Sequence, residues 1–241
     1  MTPHYSPAAG AADSADRSAA APTREQFAEV DDYLERALIR PAADFTRVQR
    51  AGEQAGMPQI EVSAAQGKLL HLLARISGAK RVLEVGTLAG YSTLWLAQAV
   101  GTDGLVISCE FEPLHAEVAR KALNEAGVGE RVEILLGAAE ETLTRLIDEG
   151  TQPFDLIFLD ADKARMDRYL QLGLELSRSG TVIVGDNVVR GGSVLTDTED
   201  PADAGIRRFL TAQGNEPHLD ATAVQTVGRK GWDGFSLAVV D

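Results

Sequence analysis

Acidic and amide side chains recur at one kind of place in this 241-residue chain, the end of a short apolar run. "RVLEVG" carries Glu84, "LVISCE" ends on Glu110, "FDLIFLDADK" ends on Asp160, Asp162 and Lys163, and "TVIVGDN" ends on Asp186 and Asn187. Runs of this length and composition read as β-strands, and open α/β sheets bind ligands beyond the carboxyl ends of their strands. Asp160, Asp186 and Asn187 are hard oxygen donors at two such ends. As a set they suit a divalent cation that keeps several waters, Mg²⁺ or a similar ion, better than zinc. The plainer role of any one of them is to cap a helix or close a turn.

The first of these runs leads into a glycine turn, "VLEVGTLAGYSTLWLA". A glycine turn opening a helix beyond a strand is where a cofactor sits in such sheets. The spacing Gly86-x-x-x-Gly90 has neither the Lys-Ser/Thr of a P-loop nor the three glycines of a dinucleotide fingerprint. Glu84, two residues before Gly86, is an awkward neighbour for a pyrophosphate and a fitting one for a positive charge. S-adenosylmethionine has a sulfonium, an ammonium and ribose hydroxyls but no phosphate. Glu84 would face its methionine end, Gly86 would let the backbone approach, and Glu110 would accept hydrogen bonds from the ribose.

The elements that must position these residues alternate two periods from Ala64 onward. Apolar positions at helical spacing start at Leu69 and Leu70, and helix-like stretches near 90–100, 113–127, 139–149 and 163–178 separate the strand-like runs. This is βαβ alternation, which implies right-handed crossovers and a parallel sheet covered by helices on both faces. The ending differs. "ATAVQTVG" and "FSLAVV", joined by the turn-rich "RKGWDG", read as an antiparallel hairpin. Ahead of the sheet, residues 23–60 have helical pattern. They are expected either to pack across the sheet or to lie over the site, as a lid or a dimer contact.

Composition sets the boundaries. With 44% hydrophobic residues the chain can bury one sizeable core, so residues 23–241 are expected to form a single domain. A net charge of −13 without a basic cluster argues against nucleic acid. The single cysteine, Cys109, excludes an internal disulfide or a CxxC site and reads as a buried strand residue. Residues 1–22, rich in Ala, Ser, Pro and Asp, are expected to be a disordered tail without the apolar region of a signal peptide. No stretch is long and apolar enough for a membrane span, so the expected place is the cytoplasm.

"LEVGTLAGYSTLWLA", "FDLIFLDADK" and "GDNVVRGG", in that order, resemble the cation-dependent O-methyltransferases related to caffeoyl-CoA and catechol O-methyltransferases, in their bacterial form. The resemblance covers about residues 62–240. It implies a Rossmann-like class I methyltransferase fold, with a seven-stranded sheet whose last strand is antiparallel, and a homodimer. It implies S-adenosylmethionine contacts at Val62 (through its backbone), Glu84, Gly86, Thr87, Ser92, Glu110, Ala139 and Asp162. The metal ligands, for Mg²⁺ or another divalent cation such as Mn²⁺ or Ca²⁺, match Asp160, Asp186 and Asn187, and Lys163 stands at the place of the general base.

A vicinal dihydroxy aromatic would chelate the cation and lose one hydroxyl proton, which Lys163 would take before the oxygen attacks the methyl in line. Lys163 also has the reading of a surface lysine at a helix start. The N-terminal "EQFAEVDDYLERAL" is net acidic, and basic residues that would hold coenzyme A phosphates find no match, so a small catechol-like or polyphenolic acceptor is expected. His71 and His115 read as packing or solvent groups, and Arg190 as a solvated loop residue in preference to a border of the substrate mouth. Trp232 has three open readings: substrate wall, dimer contact or loop anchor. The rival functions are a non-catalytic methyltransferase-like binding protein and a nicotinamide-dependent oxidoreductase, the latter lacking its glycine fingerprint here.

Overall fold

A computed structural model describes residues 21–39, 42–196 and 199–241 of the chain. The expectation for the tail falls, over residues 1–20, outside the described residues. The five apolar runs form parallel strands: β1 (Arg81–Val85), β2 (Leu105–Glu110), β3 (Val132–Leu136), β4 (Leu156–Leu159) and β5 (Val182–Asp186). A hairpin of β6 (Leu219–Gly228) and β7 (Gly231–Val240) completes one seven-stranded sheet in the order β3-β2-β1-β4-β5-β7-β6, with β7 antiparallel to both neighbours. This bears out the expected mostly parallel sheet with an antiparallel C-terminal hairpin. Because β1 lies between β2 and β4, the chain leaves β1 in one direction and returns on its other side. The loops after β1 and β4 diverge there and open a crevice at the strand ends.

Period-2 alternation decides which helices cover which face. Val82, Val106, Phe158 and Val184 pack on one side under α3 (Ala64–Ile76), α4 (Tyr91–Val100) and α5 (Pro113–Glu125). Leu83, Val85, Ile107, Ile157, Leu159 and Ile183 pack on the other, under α6 (Ala139–Asp148), α7 (Met166–Glu175) and α8 (Pro201–Asn215). Both faces of the inner strands are therefore dry, which explains why those strands read as unbroken apolar runs. Cys109 is one of these strand residues, and burial pushes its thiol up to about 12.

Two boundaries differ from the sequence reading. The helix expected over 163–178 begins as a tight 3₁₀ turn at Lys163–Arg165, and α7 proper ends at Glu175. The hairpin turn is only Arg229 and Lys230. Trp232, Asp233 and Gly234 are strand residues paired with Val227, Thr226 and Gln225. Glycine and aspartate there look like turn chemistry, but the ladder to β6 continues through them because a two-residue turn already reverses the chain.

The segment ahead of the sheet divides. Helix α1 (Arg24–Leu34) is closed by a capping box, with Thr23 Oγ1 accepting from the Gln26 amide and Gln26 Oε1 accepting from the Thr23 amide. It buries no side chain and touches the hairpin tip, where Asp31 accepts from the Arg229 amide at 2.8 Å and Asp32 pairs with the Arg229 guanidinium. Helix α2 (Ala43–Gln54) instead buries Phe45 and Val48, with Phe45 stacked on Trp95 at 3.9 Å. The stretch after α2 borders the crevice through Pro58, Ile60, Glu61 and Val62.

Candidate active site

The crevice is a cleft of about 1100 Å³ at the carboxyl ends of the central strands. Val62, Gly86, Thr87, Ser92, Glu110 and Ala139 line one part of it; Asp160, Asp162, Lys163 and Asn187 line another. Two of the residues singled out from the sequence stand behind the wall rather than on it. Glu84 is fully buried and Asp186 is 6% exposed.

The β1–β2 side is built around backbone. Gly86 has φ +108°, and a Cβ there would sit 2.2 Å from the carbonyl oxygen of Asp160, so only glycine lets the end of β1 pass the end of β4. Beyond it the amides of Thr87 and Leu88 donate to Glu110 Oε2 at 3.2 and 2.8 Å, and the Glu112 amide donates to Oε1 at 2.9 Å. A carboxylate offers about four lone-pair directions, so Glu110 keeps little free capacity for a ligand. His115 Nδ1 lies 3.5 Å from its Oε1.

Behind this loop Glu84 Oε2 accepts from Ser108 Oγ at 2.6 Å and Thr93 Oγ1 at 2.5 Å, while Glu84 Oε1 is buried without a partner. Burial pushes the Glu84 carboxyl up to about 7, against the hydrogen bonds from Ser108 and Thr93 that favour its charged form; the charge of Asp160 adds to the rise. Thr87 and Ser108 share a 2.6 Å hydrogen bond.

The β4–β5 side is built around charge. Asp160 Oδ1 pairs with Lys163 Nζ at 2.6 Å. Asp186 is pushed up to about 7, first by burial and then by the negative charge of Asp160; Lys163 and the Asn187 amide oppose this. Two carboxylates therefore feel each other's field, with one ammonium paired to the first and acting on the second. Asn187 sits at φ +57°, a conformation asparagine tolerates, and its Nδ2 donates to Asp233 Oδ2 at 3.0 Å. Asp162 does have the plainer role: its Oδ1 caps the turn at Lys163–Arg165 through the Ala164 amide at 3.0 Å. Among the described residues no group of three or more His, Cys, Asp and Glu gathers for a metal; the candidate set is two carboxylates and an amide.

Several contributors were not singled out from the sequence. Ser108 is the β2 residue in register with Glu84, a relation that only strand pairing reveals. Thr93 lies within the first turn of α4, and Asp233 was hidden in an apparent turn. Arg190, expected to be a solvated loop residue, donates through Nε to the buried Asp203 at 2.7 Å. Its φ of +53° and a buried carboxylate acceptor hold it in place instead. Trp232 is half-exposed, donates to Gln225 Oε1 at 2.9 Å and lies over Gly192, whose Cβ would come within 2.8 Å of the ring. His71 is buried on α3 with Nδ1 3.2 Å from the Trp95 carbonyl oxygen, and burial lowers its pKa.

Known proteins resemble this chain in sequence and fold. Residues 42–229 match the family model described as O-methyltransferase. The chain is 49% identical over 212 residues to a catechol O-methyltransferase of Mycobacterium tuberculosis, covering 88% of this chain and 95% of that one. It is 46% identical over 215 residues to a catechol O-methyltransferase of Niastella koreensis, covering 89% and 97%. The crystal structure of an O-methyltransferase from Bacillus cereus in complex with SAH superimposes with a TM-score of 0.89 at 44% identity, covering 91% of this chain and all of that one. These matches run through the elements that build the cleft, from α2 to β6, and on that ground the chain belongs to the O-methyltransferase family.

Proposed function

We propose that this protein is an S-adenosylmethionine-dependent, divalent-cation-dependent O-methyltransferase that methylates one hydroxyl of a vicinal dihydroxy aromatic acceptor. One observation carries the reading: a single cleft joins the glycine turn and Glu110 to the Asp160–Lys163–Asn187 end. Two relatives named as catechol O-methyltransferases support the acceptor class, and the SAH bound in the Bacillus cereus structure supports the methyl donor. The donor set fits a hard cation, since Asp160, Asp186 and Asn187 offer oxygen from two neighbouring strand ends.

S-adenosylmethionine supplies the methyl group, and a divalent cation at the acidic end would lower the pKa of a chelated hydroxyl. The residues of the chain do the rest. Gly86, Thr87, Ser92 and Ala139 shape the wall against the donor, and Glu84 answers its positive charge from behind. Lys163, held 2.6 Å from Asp160 Oδ1, would take the acceptor proton. Positioning of the two reactants in one cleft supplies much of the rate.

The reading extends to the setting. Among the described residues no helix is long and apolar enough to cross a membrane. We take the protein to be cytoplasmic and homodimeric; exposed apolar side chains on α1 and the hairpin, Tyr33, Val227 and Trp232 among them, support a partner copy. The direct test is methyl transfer to a panel of simple catechols with Mg²⁺, then with excess EDTA. Methylation abolished by EDTA and restored by Mg²⁺ is expected. Turnover indifferent to EDTA removes the role of Asp160, Asp186 and Asn187, and no product from any catechol removes the acceptor class.

A further inference from the structure

Asn187 can serve a cation only through its oxygen, and something must choose which end of the amide faces the cleft. The two ends are nearly the same size, so sterics alone do not decide. Antiparallel pairing of β5 with β7 sets Asp186 opposite Phe235 and so brings Asp233, two residues earlier on β7, beside Asn187. Asp233 Oδ2 accepts from Asn187 Nδ2 at 3.0 Å. Its Oδ1 accepts from the amides of Val189, Arg190 and Gly234 at 3.2, 2.9 and 2.9 Å. An ionised carboxylate only accepts hydrogen bonds, so it can hold the NH₂ end of Asn187 and not the oxygen.

We propose that Asp233 is the positioning residue of the acidic end, fixing the Asn187 amide so that its oxygen, with those of Asp160 and Asp186, is presented to the cation. This rests on the reading that those three residues hold a divalent ion. Three backbone amides lock the carboxylate itself, so the choice is built into the β5–β7 junction and does not depend on the ligand. Outer partners of this kind orient metal ligands in general and change affinity without touching the ion.

The chemistry gives a reciprocal exchange as the test. In Asp233→Asn the new amide must keep its oxygen toward the three backbone donors, which turns its NH₂ against the NH₂ of Asn187. The Asn187 amide then flips and offers nitrogen to the cation. Adding Asn187→Asp restores the match at unchanged total charge: the carboxylate introduced on β5's exit accepts from the NH₂ introduced on β7 with one oxygen and leaves the other for the ion. Mn²⁺ is titrated into the full-length protein, free ion is read by its electron paramagnetic resonance signal, and thermal unfolding is recorded for each variant.

The expected result is a roughly 10–100-fold loss of Mn²⁺ affinity in Asp233→Asn, with most of it recovered in the double variant and Asn187→Asp alone binding no tighter than wild type. Wild-type affinity in Asp233→Asn overturns the proposal. So does a loss that the double variant fails to recover, which would make Asp233 merely a loop anchor, and so does tighter binding by Asn187→Asp alone, which would make charge the determinant. If the wild-type protein itself binds no Mn²⁺, the metal reading fails first and the positioning role falls with it.

Discussion

The two ends of the cleft differ in how much of their negative charge is met by hydrogen-bond donors and how much by a cation. At the β1–β2 end the protein meets its own carboxylates with its own donors: Glu110 takes the amides of Thr87, Leu88 and Glu112, and Glu84 takes the hydroxyls of Ser108 and Thr93. At the β4–β5 end burial and then the charge of Asp160 raise the proton affinity of Asp186, and Lys163, paired with Asp160, opposes this. Hydrogen-bonded carboxylates stiffen a wall that exists before any ligand arrives. Two carboxylates served by a single ammonium make a place whose stability improves when further positive charge enters. On this view the first end is a preformed mould and the second is a site completed by its ligand.

The strongest way to break that contrast is Asp160→Ala. It removes a proposed cation ligand and the partner of Lys163 together, so methyl transfer should fall by more than the roughly 10²–10⁴-fold typical of losing a general base alone. The other end should not notice: S-adenosylmethionine affinity, followed by calorimetry, is expected to stay close to wild type. A large loss of donor binding would show that the two ends are one site rather than two. Lys163→Met is the milder version. It keeps both carboxylates, so the expected loss is about 10²-fold, seen in kcat rather than in KM, with a flattened pH–rate profile. A variant whose pH profile keeps its shape would assign Lys163 to charge balance with Asp160 and leave the base elsewhere.

The two ends also differed in how far they could be read from the chain. Strand-end carboxylates are legible because apolar runs reveal the strands, and residues near the end of each run must lie toward the carboxyl end of the sheet. That logic reached Glu84, Glu110, Asp160 and Asp186, and the alternation of runs and helices reached the sheet and its covering layers. It could not reach Ser108 or Asp233. Ser108 matters because β2 is in register with β1, and register depends on twist and packing across the sheet. Asp233 sits in a Trp-Asp-Gly stretch with every local mark of a turn, and only the long ladder with β6 makes it a strand residue beside Asn187. Arg190 shows the same limit, since its buried partner Asp203 lies beyond a loop and at the start of another helix. Depth was equally hidden, because nothing local distinguishes Glu84 behind the wall from Glu110 on it.

Gly86 is where the ends meet, and Gly86→Ala tests how tightly they are joined. Its φ of +108° and the 2.2 Å approach of a Cβ to the Asp160 carbonyl oxygen mean that alanine must strain the β1 turn and push the β4 end away. A left-handed strain of about 1–3 kcal/mol plus the steric displacement is expected as lost stability in denaturant melts. Activity should suffer more than stability predicts, because the displaced atom belongs to Asp160. A variant that unfolds earlier yet binds Mn²⁺ and S-adenosylmethionine normally would show that the turn is only structural.

The smallest effect separates the ends by pH. The Glu84 carboxyl is raised to about 7 in the folded protein from an ordinary 4.5, so the folded state holds a proton that the unfolded chain has released. Its contribution to stability is therefore fully present below about pH 4.5 and is lost as pH rises to about 7, with a slope of at most about 1.4 kcal/mol per pH unit between. Glu84→Gln should remove that slope, measured as unfolding free energy at several pH values, and leave the same-signed portion that Asp186 contributes. Added ligands should divide the two portions. S-adenosylmethionine, bringing positive charge to the β1 end, should flatten the part that belongs to Glu84, whereas Mg²⁺ should flatten the part that belongs to Asp186. If S-adenosylmethionine flattens the wild-type curve and the Glu84→Gln curve by the same amount, Glu84 does not sense the donor's charge, and its burial serves only the packing beneath the glycine turn.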